Sequence, residues 1–333
     1  MANPKVSICI PAYKQPELLR KLLESVLIQD YKDYEIVVTD DSPDSSVEEV
    51  CAEYIKKNIP LTYIRNIERK GTPENWNEAI RHARGEYIKI LHHDDWFLGN
   101  DSLHRFVTML DKNPDANFAF SGSFWFNPDG KLQTKNKLSK SKLQKLRQNS
   151  EFLFAGNFIG TPSATIFRKN IGLFFDPQFK WLVDFEFYMR AIKTNGLFEC
   201  TQEPLVGILT QSDTQVTAEC LYDKNLQVSE YFRLYRKIHS ANVNMKPYVF
   251  RCFWYLFDRF NIKSIEDIRN CEVNEEIPKE IADSFWFHRS IIFCAPIFII
   301  KKAAGAAMRI YKIALSSFAF YIIFVNKFIN KNK

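Results

Sequence analysis

One feature constrains this chain more than any other. Its first hundred residues repeat a unit made of a short apolar run, a polar cluster where that run ends, and an amphipathic stretch. Val6–Ile10, Glu35–Thr39, Leu61–Arg65 and Tyr87–Leu91 read as strands. Pro16–Gln29 between them carries Leu18, Leu19, Leu22, Leu23 and Val26 on one helical face. Val47–Lys57 and Glu74–Ala83 also read as helices, with Gly85 punctuating the second. Such alternation predicts a mostly parallel, Rossmann-like α/β sheet flanked by helices. In sheets of this kind ligands bind beyond the carboxyl ends of the strands. Pro11, Ala12 and Tyr13, then Asp40 and Asp41, then His92 to Asp95 all fall at such ends. Three clusters distant in sequence are thus expected to share one crevice.

The pattern then loosens. Asn117–Ser121 and Ala164–Arg168 are strand-like, and Asn127–Gly130 reads as a tight turn. Lys131–Arg147, rich in Lys, Ser and Gln, suggests an exposed basic loop or short helix. Phe185–Lys193 is helical, with Asp184 in an N-cap position. Gln211–Thr217 is polar and aperiodic, as expected of a mobile loop. From Tyr222 the pattern is helical, clearest in Leu226–His239 and Tyr248–Phe260. These features predict a catalytic domain over 1–220, a helical extension over 221–284 and a tail over 285–333.

Composition narrows the class. With 46% hydrophobic residues in 333, the chain can bury a sizeable core, which excludes a disordered protein. The net charge of +6 is modest and its excess sits in the tail, so no nucleic-acid partner is expected. None of the seven cysteines has CxxC spacing, which fits buried thiols in a reducing compartment. Met1–Lys5 runs straight into an apolar strand without a leader pattern, so the active part is expected to face the cytoplasm. Asp283 is the last acidic residue. Arg289, Lys301, Lys302, Arg309, Lys312, Lys327, Lys331 and Lys333 follow it. The apolar runs Ile291–Ile300 and Ile313–Val325 are shorter than the ~20 residues that span a bilayer. Two readings fit: a basic amphipathic segment peripheral on the inner face of the cell membrane, or a helical hairpin packed on protein.

The carboxylates carry the chemistry. Asp94 and Asp95, adjacent after an apolar strand, repel unless a cation lies near. Mn²⁺ or Mg²⁺ answers this, because hard cations prefer oxygen ligands. A helix N-cap pair is the plainer alternative. Asp40 and Asp41 can accept from a base N–H, or they belong to a solvated turn over Asp40–Asp44. Asp184 stands among Trp181, Leu182, Val183, Phe185 and Phe187, where desolvation raises a carboxyl toward the range of a general base. A plain helix cap is its alternative, and Glu186 its nearest competitor. GxGxxG, Walker and GxSxG signatures are missing, and the histidines have no zinc-ligand spacing with the cysteines.

Taken together, Val6-Ser7-Ile8-Cys9-Ile10-Pro11-Ala12-Tyr13, Ile36-Val37-Val38-Thr39-Asp40-Asp41-Ser42 and Gly85-Glu86-Tyr87-Ile88 running into Asp94-Asp95 resemble the family 2 inverting glycosyltransferases. The resemblance covers about residues 5–215. It implies a GT-A fold and a nucleotide-diphosphate sugar donor, UDP-linked by expectation. Pro11, Ala12, Tyr13, Asp41 and neighbouring Asp40 would hold the nucleotide. Lys70, Asn75, Asn77 and His93 would lie beside it. Asp94, with Asp95, would hold Mn²⁺ or Mg²⁺ under the diphosphate, and Asp184 would be the base. His92 stands where the family's metal motif has its first Asp, which is a departure. The family habit adds a glycan or lipid-linked glycan acceptor in bacterial surface-polysaccharide assembly. Competing readings are a sugar-nucleotide-binding module or catalytically silent partner, and a nucleotidyltransferase. The last normally has a Gly-rich loop where this chain has Pro11-Ala12-Tyr13-Lys14.

Overall fold

A computed structural model describes residues 3–136, 138–193, 197–210, 219–238, 247–273 and 276–294. The chain divides into two compact units, residues 1–241 and 242–333. In the first, β1 (Val6–Ala12), β2 (Tyr34–Asp40), β3 (Leu61–Arg65) and β4 (Tyr87–Ile90) pair in parallel in the order β3-β2-β1-β4. Helices α1 (Pro16–Leu27), α2 (Ser46–Lys56) and α3 (Glu74–His82) connect them. Every residue of β1 and β2 is buried, as strands covered on both faces require. The apolar stripe of α1 puts Leu19, Leu22, Leu23 and Val26 into the core. Each such side chain contributes about 1.5–3 kcal/mol by leaving water. Pro16 opens this helix, where its fixed φ and missing N–H cost nothing.

The second half of the unit is mixed. The short β5 (Trp96–Phe97), α4 (Ser102–Asp111), β6 (Phe118–Phe126), β7 (Leu132–Asn136), α5 (Lys140–Gln148) and β8 (Thr165–Arg168) follow. Then come α6 (Val183–Lys193), β9 (Phe198–Leu209) and α7 (Lys224–Ile238). The sheet continues β4-β8-β6-β9-β5, with β7 hairpinned onto β6. Antiparallel pairs now mingle with the parallel β6–β9 ladder. The stretch Lys131–Arg147, expected as an exposed basic loop or short helix, holds a strand, β7, ahead of residue 137 and a short helix, α5, after it. Sequence periodicity overlooked the long β9. Its middle, Thr201–Pro204, is polar, and only the pairing with β6 makes it a strand. Gly207 belongs to that strand because a Cβ there would lie 2.5 Å from the Trp96 ring.

In the second unit, α8 (Pro247–Arg259), α9 (Ile265–Arg269) and α10 (Lys279–Cys294) are described. Trp254 Nε1 donates to Ser284 Oγ at 2.7 Å, and Phe257 meets Phe285 edge-on. Ser264 and Asp267 form a capping box that starts α9. No described helix is long and apolar enough to cross a membrane. The predicted loop over 211–217 and the tail beyond residue 294 lie outside the described residues.

Candidate active site

The register fixes where the site is built. Ala12 pairs with Asp40, so β1 and β2 end at one level, and β4 ends three residues earlier, at Ile90 opposite Cys9, where His92 to Asp95 follow. A cavity of about 1080 Å³ opens there, lined by Pro11, Ala12, Tyr13, Asp41, Asn75, His93, Asp94, Asp95 and Asp184 among others. The chain leaves β1 through Lys14 (φ 58°) and Gln15 (φ 55°), two left-handed residues in succession. Each costs about 1–2 kcal/mol without a glycine. Strain of this kind collects at functional sites. Here it turns Tyr13 into the cavity wall, and Lys14 N donates to Ser42 Oγ at 2.7 Å. The Arg69 guanidinium lies 4.4 Å from the Tyr13 ring centroid.

The two carboxylates of the Asp40–Asp41 pair part company. Asp40 is fully buried and turned inward, accepting from Tyr63 Oη and Ser42 N, both at 2.8 Å, and it does not line the cavity. Asp41 lines the cavity and accepts from Asn66 Nδ2 (2.7 Å), Lys70 N (3.1 Å) and Gly71 N (2.7 Å). Lys70 contributes that backbone N–H, while its ammonium pairs with Glu78 at 3.0 Å, away from the lining. Asn75 ties strand ends together, donating to Ala12 O (3.2 Å) and Thr39 O (3.3 Å). Asn77 is bound through its side chain to both backbone groups of Phe175 at 2.8 Å.

At the end of β4 the four residues His92 to Asp95 take different surroundings. Asp94 is half-buried at the cavity surface. Asp95 is 3% exposed, hydrogen-bonded by Ser163 and by Leu209 N at 3.4 Å. Burial, with Asp94 adding to it, pushes its carboxyl well above the usual range. The His92 ring packs against Trp76 at 4.6 Å, tilted by 43°, and burial lowers its pKa to about 4. His93 Nδ1 lies 3.3 Å from Pro11 O. The Nε2 atoms of His92 and His93 are both buried without a hydrogen-bond partner among the described residues. Two orphaned donor-or-acceptor atoms beside a cavity carboxylate suit a polar ligand. No group of three His, Cys, Asp or Glu able to hold a metal exists among the described residues. Asp94, a carboxylate at the cavity surface, is the kind of hard oxygen donor that Mg²⁺ and Mn²⁺ take together with a diphosphate's own oxygens.

Asp184 lines the same cavity. Helix α6 starts at Val183, so Asp184 lies in its first turn rather than at the N-cap expected from sequence. Burial pushes its carboxyl up to about 7. Asn157 Nδ2 donates to Asp184 Oδ2 at 3.3 Å, while the same side chain closes a turn onto Gly160 O and N, both at 2.9 Å. Gly160 has φ 106°, and a Cβ there would lie 2.9 Å from Asn136 Nδ2. Glu186 is fully buried and spoken for by Arg190 and by Lys237 Nζ at 2.7 Å. Among the described residues a ladder of rings, His92–Trp76–Phe175–Phe187, links the β4 loop to α6. Sequence reading missed Arg69, Trp76, Trp125, Asn157 and Trp181, all at the cavity. For Trp125, Asn157 and Trp181 the signal available was aromatic or amide character, whereas nothing local marked Arg69 or Trp76.

Residues 7–174 match the family described as Glycosyl transferase family 2. A Campylobacter jejuni protein named GalNAc(5)-diNAcBac-PP-undecaprenol beta-1,3-glucosyltransferase is 28% identical over 174 residues, which are 50% of this chain and 53% of that one. The chain thus spans about half the length of that relative, and 61–71% of three others at 27–28% identity. Among solved structures, S. aureus TarS 1–349 in complex with UDP-GlcNAc matches with TM-score 0.58 at 16% identity, covering 85% of this chain and 79% of that one. The mannosyltransferase PcManGT from Pyrobaculum calidifontis, in complex with GDP-Man and Mn²⁺, matches with TM-score 0.52 at 16% identity, covering 95% and 83%.

Proposed function

The chain belongs to glycosyl transferase family 2, and from that premise we propose that it moves a sugar from a nucleoside-diphosphate sugar, UDP-linked, to a hydroxyl of a glycan or lipid-linked glycan in polysaccharide synthesis, inverting the anomeric centre. The observation that carries this is one cavity lined at once by Tyr13, Asp41, Asp94 and Asp184. The printed names of the relatives and neighbours support it, with an undecaprenol-linked acceptor in one and UDP-GlcNAc or GDP-Man in others.

In this reading the Tyr13 face and the Asp41 wall take the nucleoside, and Arg69 over Tyr13 brings positive charge to the donor's phosphates. Asp94 would hold a divalent cation, which would supply electrostatic neutralisation for the departing diphosphate. Asp184 accepts the proton of the attacking hydroxyl through one oxygen while Asn157 holds the other. A pKa near 7 leaves it partly ionised at neutral pH yet basic enough to take that proton. Asp95 ties the segment after β4 to β9 through Leu209 N. The basic tail over 285–333, which contains no Asp or Glu, would bring the enzyme to an anionic membrane where a lipid-linked acceptor resides.

The test is a screen of UDP- and GDP-sugars with and without Mn²⁺, read by thermal shift and by slow donor hydrolysis. Metal-dependent stabilisation with turnover, lost in kcat but not in nucleotide binding by Asp184→Asn, is the expected result. No stabilisation by any nucleotide defeats the reading. For the tail, co-sedimentation with anionic but not neutral vesicles is expected, and equal recovery in both supernatants refutes that part.

A further inference from the structure

The segment that presents Asp184 is held by a helix far along the chain. On α7, Glu230, Arg233 and Lys237 stand at i, i+3 and i+7, one face of the helix. All three grasp residues 176–186. Glu230 is 1% exposed, and its carboxylate accepts the N–H groups of Lys180 (2.7 Å), Trp181 (3.0 Å) and Leu182 (2.8 Å). Arg233 Nη1 donates to Gln178 O at 2.5 Å. Lys237 Nζ bridges Asp176 (2.5 Å) and Glu186 (2.7 Å). The gathered amides lie just ahead of the first turn of α6, where helix N–H groups lack partners and a negative charge is favoured. Trp181 and Asp184 both enter the cavity from this segment.

We propose that Glu230 is a positioning residue for the glycosyl transfer: its buried carboxylate gathers the N–H groups of residues 180–182 and so sets where Asp184 meets the acceptor hydroxyl, with Arg233 and Lys237 fixing the flanks. This rests on the reading of Asp184 as the base. A group held about 1 Å out of place costs about 10²-fold in rate. The three bonds need a carboxylate, since a glutamine offers one oxygen and turns N–H against N–H at the other.

The experiment is Glu230→Gln in the full chain. Expected is a fall in kcat of at least about 10-fold with donor KM and nucleotide thermal shift held, since the donor wall is built by other elements. The acid limb of the pH–rate profile moves to lower pH as Asp184 gains water. Asn157 and Tyr188 are the other polar groups acting on it. An unchanged kcat, or a parallel loss of nucleotide binding, overturns the proposal. A second readout needs no turnover: the stability difference between pH 8 and pH 5 that Asp184→Asn removes shrinks in the Glu230→Gln background. If that coupling is present while no donor is turned over, the glycosyltransfer reading fails and the positioning role stands. Should Glu230→Gln fail to fold, Arg233→Ala, which removes one exposed donor, lowers kcat 2- to 5-fold by about the same logic. No change in that variant overturns the proposal.

Discussion

The amino ends of the central strands and their carboxyl ends are made of similar residues and behave in opposite ways. At the amino ends the buried polar side chains Ser7 and Glu35 have found their partners. Ser7 Oγ donates to Glu35 Oε1 at 2.7 Å and accepts from the N–H of Arg84 (3.1 Å) and Gly85 (2.8 Å). The Arg84 guanidinium reaches Glu35 Oε2 at 2.6 Å. Lys5 bridges Glu86 (2.8 Å) and Asp111 (3.1 Å). Burial works against the charge of Glu35, but Ser7 and Arg84 outweigh it and hold the carboxyl below its usual pKa. At the carboxyl ends Asp184 and Asp95 are pushed up, His92 is pushed down, and two imidazole nitrogens lack partners among the described residues. A satisfied network stabilises the fold, whereas one left open is stabilised only by what binds. The contrast separates scaffold from site without any reference to relatives.

Substitutions can break that contrast, beginning with the largest effect. Asp184→Asn is expected to lower kcat by about 10²–10⁴-fold and at the same time to stabilise the protein. The folded carboxyl titrates at about 7 against 3.8 unperturbed. The unfolded chain therefore releases its proton first, and stability falls as pH rises from about 4 to 7. The gain on substitution is absent at pH 4 and reaches no more than about 4 kcal/mol at pH 8. Urea melts at both pH values check it, and equal melts would sink the assignment of a desolvated base.

Asp94→Asn comes next. It should remove the Mn²⁺ dependence of nucleotide-induced stabilisation and cost about 10²-fold in rate, with the apo melting point little changed. Isothermal titration with and without the metal is the measurement. Third, kcat/KM of the unmodified enzyme should climb about tenfold per pH unit below 7 and flatten above it, because the base must be ionised to act. A flat profile over pH 5–8 would assign the limb to no group in this cavity. Last, Arg84→Ala should cost about 1–2 kcal/mol and leave kcat untouched. The sign is opposite to that of Asp184: a depressed carboxyl stabilises above its unfolded pKa of about 4.5 and loses that stabilisation as pH falls through its folded value. The deficit of this variant should therefore shrink in acid.

The alternation of apolar runs and amphipathic helices, and the polar clusters at strand ends, were legible because both periodicities are local. Hence β1 to β4, their parallel pairing and the crevice beyond their carboxyl ends follow from the first hundred residues, and Asp184 stands out by its apolar flanks. What each polar side chain faces was not local. Asp40 turned to Tyr63 while Asp41 faced the cavity. Asn75 and Asn77 were taken up by backbone groups 36 to 98 residues away. Lys70 paired with Glu78, which left Arg69 at the cavity, and Glu186 was consumed by Lys237. Likewise β9 exists because β6 offers it a ladder. Local sequence thus determined the elements of the first hundred residues and the polar clusters that follow their strands. Only the tertiary structure decided which carboxylate is satisfied and which is left for a ligand, because a buried polar group takes whichever partner the fold brings within about 3 Å.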